Sequence, residues 1–263
     1  MTEDTTRTPL LHATGLTRRF GGLTAVNGVT LGLDIGELHA VIGTHGAGKS
    51  TLINMLSGDI LPSAGRIEFD GLDITRWSQP RRARAGIGRS YQRTTVFAEF
   101  SVLENCRLAA QATRARPWAL WESAQRCGHS RRAAYEALEA AGLQEQAAQQ
   151  AGLLSHGGKR QLEIAMCLAT RPRMLLLDEP LAGMDAEESE RMLVLLERLK
   201  LNHAVLLVEH GMDAVSRVAD RITVMVNGEV IASDSPAMIR HSREPGADAA
   251  VTMGIFASPQ SAP

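Results

Sequence analysis

Three short apolar runs open the chain, Leu10–Thr17, Val29–Leu33 and Leu38–Ile42, punctuated by Gly21-Gly22, Asn27-Gly28 and Gly36. Runs of this length bounded by turn residues predict β-strands. A helix is expected to begin near Lys49, run through Thr51–Ser57 and stop at Gly58, and Gly65–Gly71 reads as a further strand with a turn. Between 102 and 143 the pattern changes. Leu103, Leu108, Ala109, Ala112, Trp118, Trp121, Tyr135, Leu138 and Ala141 recur at mixed three- and four-residue spacings. With few β-branched residues among them, they predict two or three helices, broken at Pro117 and Gly128. Strand and helix then alternate: Met174–Leu177, Ala186–Lys200 (helix), Ala204–Val208, Met212–Val218 (helix) and Ile222–Val226. That alternation implies a largely parallel sheet. From His241 onward no pattern is legible, and the tail is expected to be loose.

The pattern therefore predicts an α/β fold with a mainly parallel sheet, an antiparallel β portion and an inserted helical lobe. A chain of 263 residues can bury one large α/β core with a smaller attached lobe. Composition is that of an ordinary globular protein, 44% hydrophobic and 22% charged, with a net charge of −1. No basic excess points to nucleic acid; Arg81, Arg82, Arg84 and Arg89 form the one local cluster to be weighed. Cys106, Cys127 and Cys167 are far apart, which indicates neither a disulfide framework nor a zinc site and fits a reduced, cytoplasmic compartment. The polar start lacks an apolar core, so no secretory signal is expected. No run reaches the roughly 18 apolar residues of a membrane span, so any membrane role is expected to come through a partner.

Candidate chemistry starts at Gly43–Thr51, Gly-Thr-His-Gly-Ala-Gly-Lys-Ser-Thr, directly after the run ending at Ile42. The spacing G-x-x-x-x-G-K-[ST] between a strand and a helix is a phosphate-binding P-loop. Gly43, Gly46 and Gly48 let the backbone curl so that amides point inward, an anion nest at a helix N-terminus. Lys49 would reach the outer phosphates, and the Ser50 hydroxyl would take one position on Mg²⁺. Farther on, Met174–Leu177 ends in Asp178-Glu179-Pro180. A carboxylate at that strand end suits the Mg²⁺ shell for Asp178, and Glu179 could orient or deprotonate the attacking water. His210 likewise follows an apolar strand, at the edge where ligands of parallel sheets collect.

With these residues in hand, the chain resembles the nucleotide-binding subunit of an ABC transporter from about Leu10 to Ile239. The ordered motifs are the P-loop, Tyr91-Gln92 at the Q-loop, Leu154-Ser-His-Gly-Gly-Lys159 at the signature, Asp178-Glu179, Gly183-Met-Asp185 at the D-loop, and His210 at the switch histidine. The resemblance implies one ABC ATPase domain over 1–263, a P-loop NTPase core with a helical subdomain at about 102–170 inserted in it. It implies ATP and Mg²⁺ as ligands, Phe20 stacked on adenine, and Thr51 with the P-loop residues on the phosphates. Gln92 is implied beside Mg²⁺ together with Ser50 and Asp178, and Gln92, Glu179 and His210 in catalysis. Ser155 and the Gly157-Gly158 amides precede a helix expected from about Arg160 to Thr170, an anion-binding N-terminus. In the family's head-to-tail arrangement it closes over the partner subunit's ATP.

Several segments resemble the importers of branched-chain amino acids and their urea and amide relatives: Arg18–Val26, Leu154–Gly157 with Leu162–Ala165, Leu175–Met184 and Val208–Met212. The implied partners are two transmembrane permeases, a second ABC ATPase subunit in a heterodimer and, indirectly, an extracytoplasmic solute-binding protein, with no nucleic acid. The implied location is the cytoplasmic face of the inner membrane, held there through the permeases. Two positions depart from the family pattern: Gly158 stands where glutamine is usual in the signature, and His45 where asparagine is common in the P-loop. The alternatives are a soluble ABC ATPase acting on ribosomes or DNA, and a weakly hydrolysing regulatory subunit, which Gly158 keeps open. Lys49, Asp178, Glu179 and His210 argue for an active enzyme.

Overall fold

The computed structural model describes residues 9–91, 96–112 and 128–241. The described residues divide into two compact units, those of 9–78 with 204–241, and those of 79–203. Elements are numbered in chain order.

The first unit contains an antiparallel sheet in which β1 (Leu11–Phe20) lies between β2 (Leu23–Leu33) and β4 (Ala64–Phe69), with β5 (Leu72–Asp73) outermost beside β4. Gly21-Gly22 turns β1 into β2, with Phe20 paired to Leu23. Asn27-Gly28 is not a second turn. It lies inside β2, where the pairing shifts between Leu16–Val29 and Arg18–Val26, and Gly28 takes φ 64°. This irregularity is a bulge, and it frees the Asn27 amide to donate to the Gly228 carbonyl at 2.8 Å.

The same unit places β3 (Leu38–Ile42) between β8 (Ala204–Glu209) and β9 (Arg221–Val226), parallel to both, with β10 (Glu229–Asp234) antiparallel to β9. Every residue of β3 and β8 is buried, which is why both read as nearly unbroken apolar runs. His39 is the polar residue within β3, 1% exposed. Its Nε2 lies 2.7 Å from Thr223 Oγ1 and its Nδ1 3.3 Å from the Gly32 carbonyl. Burial disfavours the imidazolium and pushes its pKa down to about 4. Helices α1 (Lys49–Ser57), α7 (Met212–Val215) and α8 (Pro236–His241) complete the unit. α7 is a single turn, shorter than the Met212–Val218 helix expected.

The second unit pairs β6 (Ile87–Arg89) parallel to β7 (Met174–Asp178), with α2 (Gln79–Ala85) before β6. Helices α3 (Val102–Ala112), α4 (Gly128–Ala140) and α5 (His156–Ala169) pack on one another, and α6 (Ala186–Lys200) follows β7. Ala133, Ala134 and Ala137 give α4 a small-residue buried face. Met192, Leu193, Leu195, Leu196 and Leu199 form the buried stripe of α6, at the spacing an amphipathic helix requires. Neither α2 nor β6 follows from the apolar pattern. α2 is mostly polar, and the side chain it buries is Arg82. α5 starts four residues earlier than expected because Ser155 caps it and draws Gly157 and Gly158 into its first turn. Pro117, Trp118, Trp121, Cys127, Gln92 and the tail beyond His241 lie outside the described residues. Among the described residues, no helix is long and apolar enough to cross a membrane.

Candidate functional site

In the first unit, β3 delivers the chain into Gly43–Gly48. A Cβ on Gly43 would stand 2.2 Å from the Met225 carbonyl oxygen, and one on Gly48 2.4 Å from that of Ala25. Gly48 also takes φ 98°, a conformation costly for any other residue. The loop is pinned further by the Gly228 amide, which donates to the Ala47 carbonyl at 3.0 Å. Gly46 faces open space at φ 80°. α1 thus begins on a glycine with no side-chain cap, presenting its first-turn amides where an anion can meet them.

Lys49 is 4% exposed. Its Nζ donates to the Gly43 carbonyl at 2.6 Å and the Thr44 carbonyl at 3.0 Å, so the cation is held against the loop it serves. His210 Nδ1 lies 3.4 Å from Lys49 Nζ. The His210 ring also stacks on His45, centroids 4.1 Å apart and planes 19° apart. Ser50 is exposed and Thr51 half-buried. Phe20, at the end of β1, is 45% exposed, with the Arg18 guanidinium 4.6 Å from its ring centre.

In the second unit, Asp178 ends β7 and is buried, with Arg89 Nη2 3.8 Å from its Oδ2. The Arg89 guanidinium also lies 4.6 Å from the Tyr91 ring centre. Arg82 is fully buried and the Arg89 side chain is 7% exposed. Arg81 and Arg84 are exposed, so the four arginines do not share one surface. Glu179 is buried and takes φ 50°, a left-handed conformation that costs a residue with a side chain about 1 kcal/mol or more. It turns the chain sharply after β7, and the Ala182 amide closes the turn on the Glu179 carbonyl at 3.2 Å.

The signature forms the N-terminus of α5. Ser155 Oγ accepts from the Gly158 amide at 3.0 Å and donates to Glu188 Oε1 at 2.7 Å. The Gly157 amide donates to the same carboxylate oxygen at 3.2 Å. A Cβ on Gly157 would come within 2.7 Å of Glu188 Cδ, so glycine here admits the carboxylate. Gly158 is less constrained, a Cβ there meeting Leu154 Cβ at 3.3 Å and Ser155 Oγ at 3.4 Å. His156 Nε2 lies 3.1 Å from the Ala182 carbonyl, tying the signature to the D-loop segment. Farther along α5, Arg160 donates to the Tyr91 carbonyl at 2.8 Å and to Glu163 at 3.0 Å, anchoring the chain just before Gln92. Cys167 donates to the Arg89 carbonyl at 3.0 Å. Burial pushes its thiol up to about 12, which leaves it unreactive.

Lys49, His45 and His210 thus meet in the first unit, and Ser155, Gly157 and Glu188 in the second. Glu188 is absent from the sequence reading, and Arg89 enters it only as part of a basic cluster, not beside Asp178. The signal for Glu188 was the capping pattern Asp185-x-x-Glu188, which by itself points the glutamate back to its own helix. Among the described residues no three His, Cys, Asp or Glu side chains gather to hold a metal ion.

The profile of the ABC transporter family matches residues 26–182. The high-affinity branched-chain amino acid transport ATP-binding protein BraF of Pseudomonas aeruginosa is 38% identical over 239 residues, covering 88% of this chain and 94% of BraF. LivG of Escherichia coli K12, described in the same words, is 38% identical over 243 residues, 89% of this chain and 94% of LivG. A crystal structure of a nucleotide-free ATP-binding cassette from an ABC transporter superposes with a TM-score of 0.82 at 28% identity, covering 93% of this chain and 99% of that one. The glycine cradle around Lys49, the capped signature helix and the match across 26–182 lead to one conclusion: this chain belongs to the ABC transporter family.

Proposed function

We propose that this chain is the ATP-hydrolysing subunit of an importer for branched-chain amino acids. The observation that carries the reading is the P-loop itself: two glycines that tolerate no Cβ, enclosing Lys49 beside His210. The kinship to BraF and LivG supports the solute class.

Each residue has a role its chemistry suits. Phe20 offers the adenine an aromatic face, and the Gly43, Gly46 and Gly48 backbone with Lys49, Ser50 and Thr51 receives the phosphates. Lys49 exchanges its two loop carbonyls for phosphate oxygens. Ser50, Asp178 and Gln92 would hold Mg²⁺, which when bound would draw charge from the phosphates. Glu179 accepts the proton of the attacking water, and His210 contacts the γ-phosphate. Ser155 and Gly157 donate to the ATP of a second ABC subunit, in a heterodimer that drives two permeases at the cytoplasmic face of the membrane. A solute-binding protein on the far side delivers the cargo.

The test is uptake by vesicles carrying the full complex, with leucine, isoleucine, valine and urea as labelled solutes. The three amino acids should accumulate with ATP and fail to do so in Lys49→Ala. ATP-driven uptake of urea alone would overturn the solute class while sparing the ATPase. ATP-independent uptake would overturn the coupling.

A further inference from the structure

We propose that His45 is a positioning residue for His210, and that it acts on the rate of ATP hydrolysis rather than on ATP affinity. The inference rests on the reading of His210 as the γ-phosphate contact. Four observations carry it. First, His210 is exposed and sits between the end of β8 and Gly211, which starts a helix of only four residues. A side chain in such a place has rotamers to lose, and fixing one costs entropy at the moment it is needed. Second, the ring is stacked here on His45, 4.1 Å between centroids and 19° between planes.

Third, the backbone that carries the anchor is pinned on both sides. His45 follows Thr44, whose carbonyl accepts both Lys49 Nζ and the Ala47 amide, the latter at 3.2 Å. Gly43 is packed against the Met225 carbonyl on one side of it, and Ala47 is tied to Gly228 on the other. Fourth, the stacked orientation turns His210 Nδ1 to within 3.4 Å of Lys49 Nζ, the cation assigned to the phosphates. The imidazole is thereby held beside the Lys49 ammonium. Asparagine, common at position 45 in the family, has no ring to offer, so the departure noted in the sequence acquires a physical consequence.

The experiment compares His45→Ala and His45→Phe in the assembled transporter. His45 is exposed, so neither change disturbs the core. An aromatic pair of this kind corresponds to a change of about three- to tenfold. His45→Ala should lower kcat by about that factor with KM for ATP moved by less than about twofold. His45→Phe, which can stack but carries no ring nitrogen, should recover most of the rate. In the nucleotide-free full chain, the ring protons of His210 should lose their ring-current shielding in His45→Ala and keep it in His45→Phe. A wild-type kcat in His45→Ala, a loss expressed in KM instead, or unmoved His210 resonances would each overturn the proposal. Undiminished ATP binding by Lys49→Ala would instead overturn the site reading beneath it.

Discussion

Two helix N-termini carry the phosphate motifs of this chain, and they are finished in opposite ways. α1 starts on Gly48 with no capping side chain, and the charge beside it, Lys49, is spread over two carbonyls of the same loop. α5 starts on Ser155, is capped by it, and has the Glu188 carboxylate seated on the Ser155 hydroxyl and the Gly157 amide. Both ends carry the partial positive charge of a helix N-terminus. One is kept open by glycines that no other residue can replace; the other is filled by its own chain. A phosphate oxygen and Glu188 cannot both take the Ser155 hydroxyl proton. The difference teaches that α1 presents its first amides with no capping side chain, whereas an external anion at α5 would have to displace Glu188.

The largest effect expected separates binding from chemistry. Glu179→Gln keeps the shape of the turn after β7 but removes the proton acceptor, and kcat in the assembled complex should fall by about 10²–10⁴ while ATP still binds. A wild-type rate in that variant would place the base elsewhere.

Acid should distinguish the two units next. His39 lies in β3, directly ahead of the P-loop, with a folded pKa lowered to about 4 from 6.5. As pH falls through that window, the unfolded chain takes a proton that the folded chain refuses. Stability is therefore complete above 6.5, lost progressively below it, and level again below 4. The full loss is about 3 kcal/mol, of which about 2 kcal/mol falls between pH 7 and 5. Urea midpoints at those two pH values should show this loss in the wild type and far less in His39→Gln, with hydrogen exchange quickening first in β3. Equal pH dependence in the two proteins would exclude His39 as the cause.

A smaller effect probes the signature. Glu188→Ala removes the acceptor of two hydrogen bonds and should cost about 1 kcal/mol of stability, with Glu188→Gln losing less because an amide oxygen can still accept. An alanine variant as stable as wild type would mean that the carboxylate contributes nothing at the α5 N-terminus.

What the sequence made legible was local. The P-loop could be read because strand, glycines and helix are adjacent, and their geometry depends on backbone alone. α6 announced its bounds through its apolar stripe, with Asp185 capping it. What stayed hidden depends on residues brought from far along the chain. Asn27-Gly28 looks like a turn, but pairing with β1 keeps it within a strand. Arg82 looks like surface until its burial is known. Glu188 looks like half of a local capping box, yet its carboxylate serves a helix that starts about thirty residues earlier. His45 carried a signal only as a departure from the family pattern; its stacking partner stands 165 positions later.

The contrast between the two N-termini is tested most directly by ATP affinity in the isolated full chain, comparing Lys49→Ala with Ser155→Ala. If each chain binds nucleotide through its own P-loop and lends its signature to a partner, Lys49→Ala should weaken ATP binding by about 10- to 100-fold. Ser155→Ala should leave it within about twofold, while still slowing hydrolysis once the partner subunit is present. Equal weakening of ATP binding by the two substitutions would contradict the account.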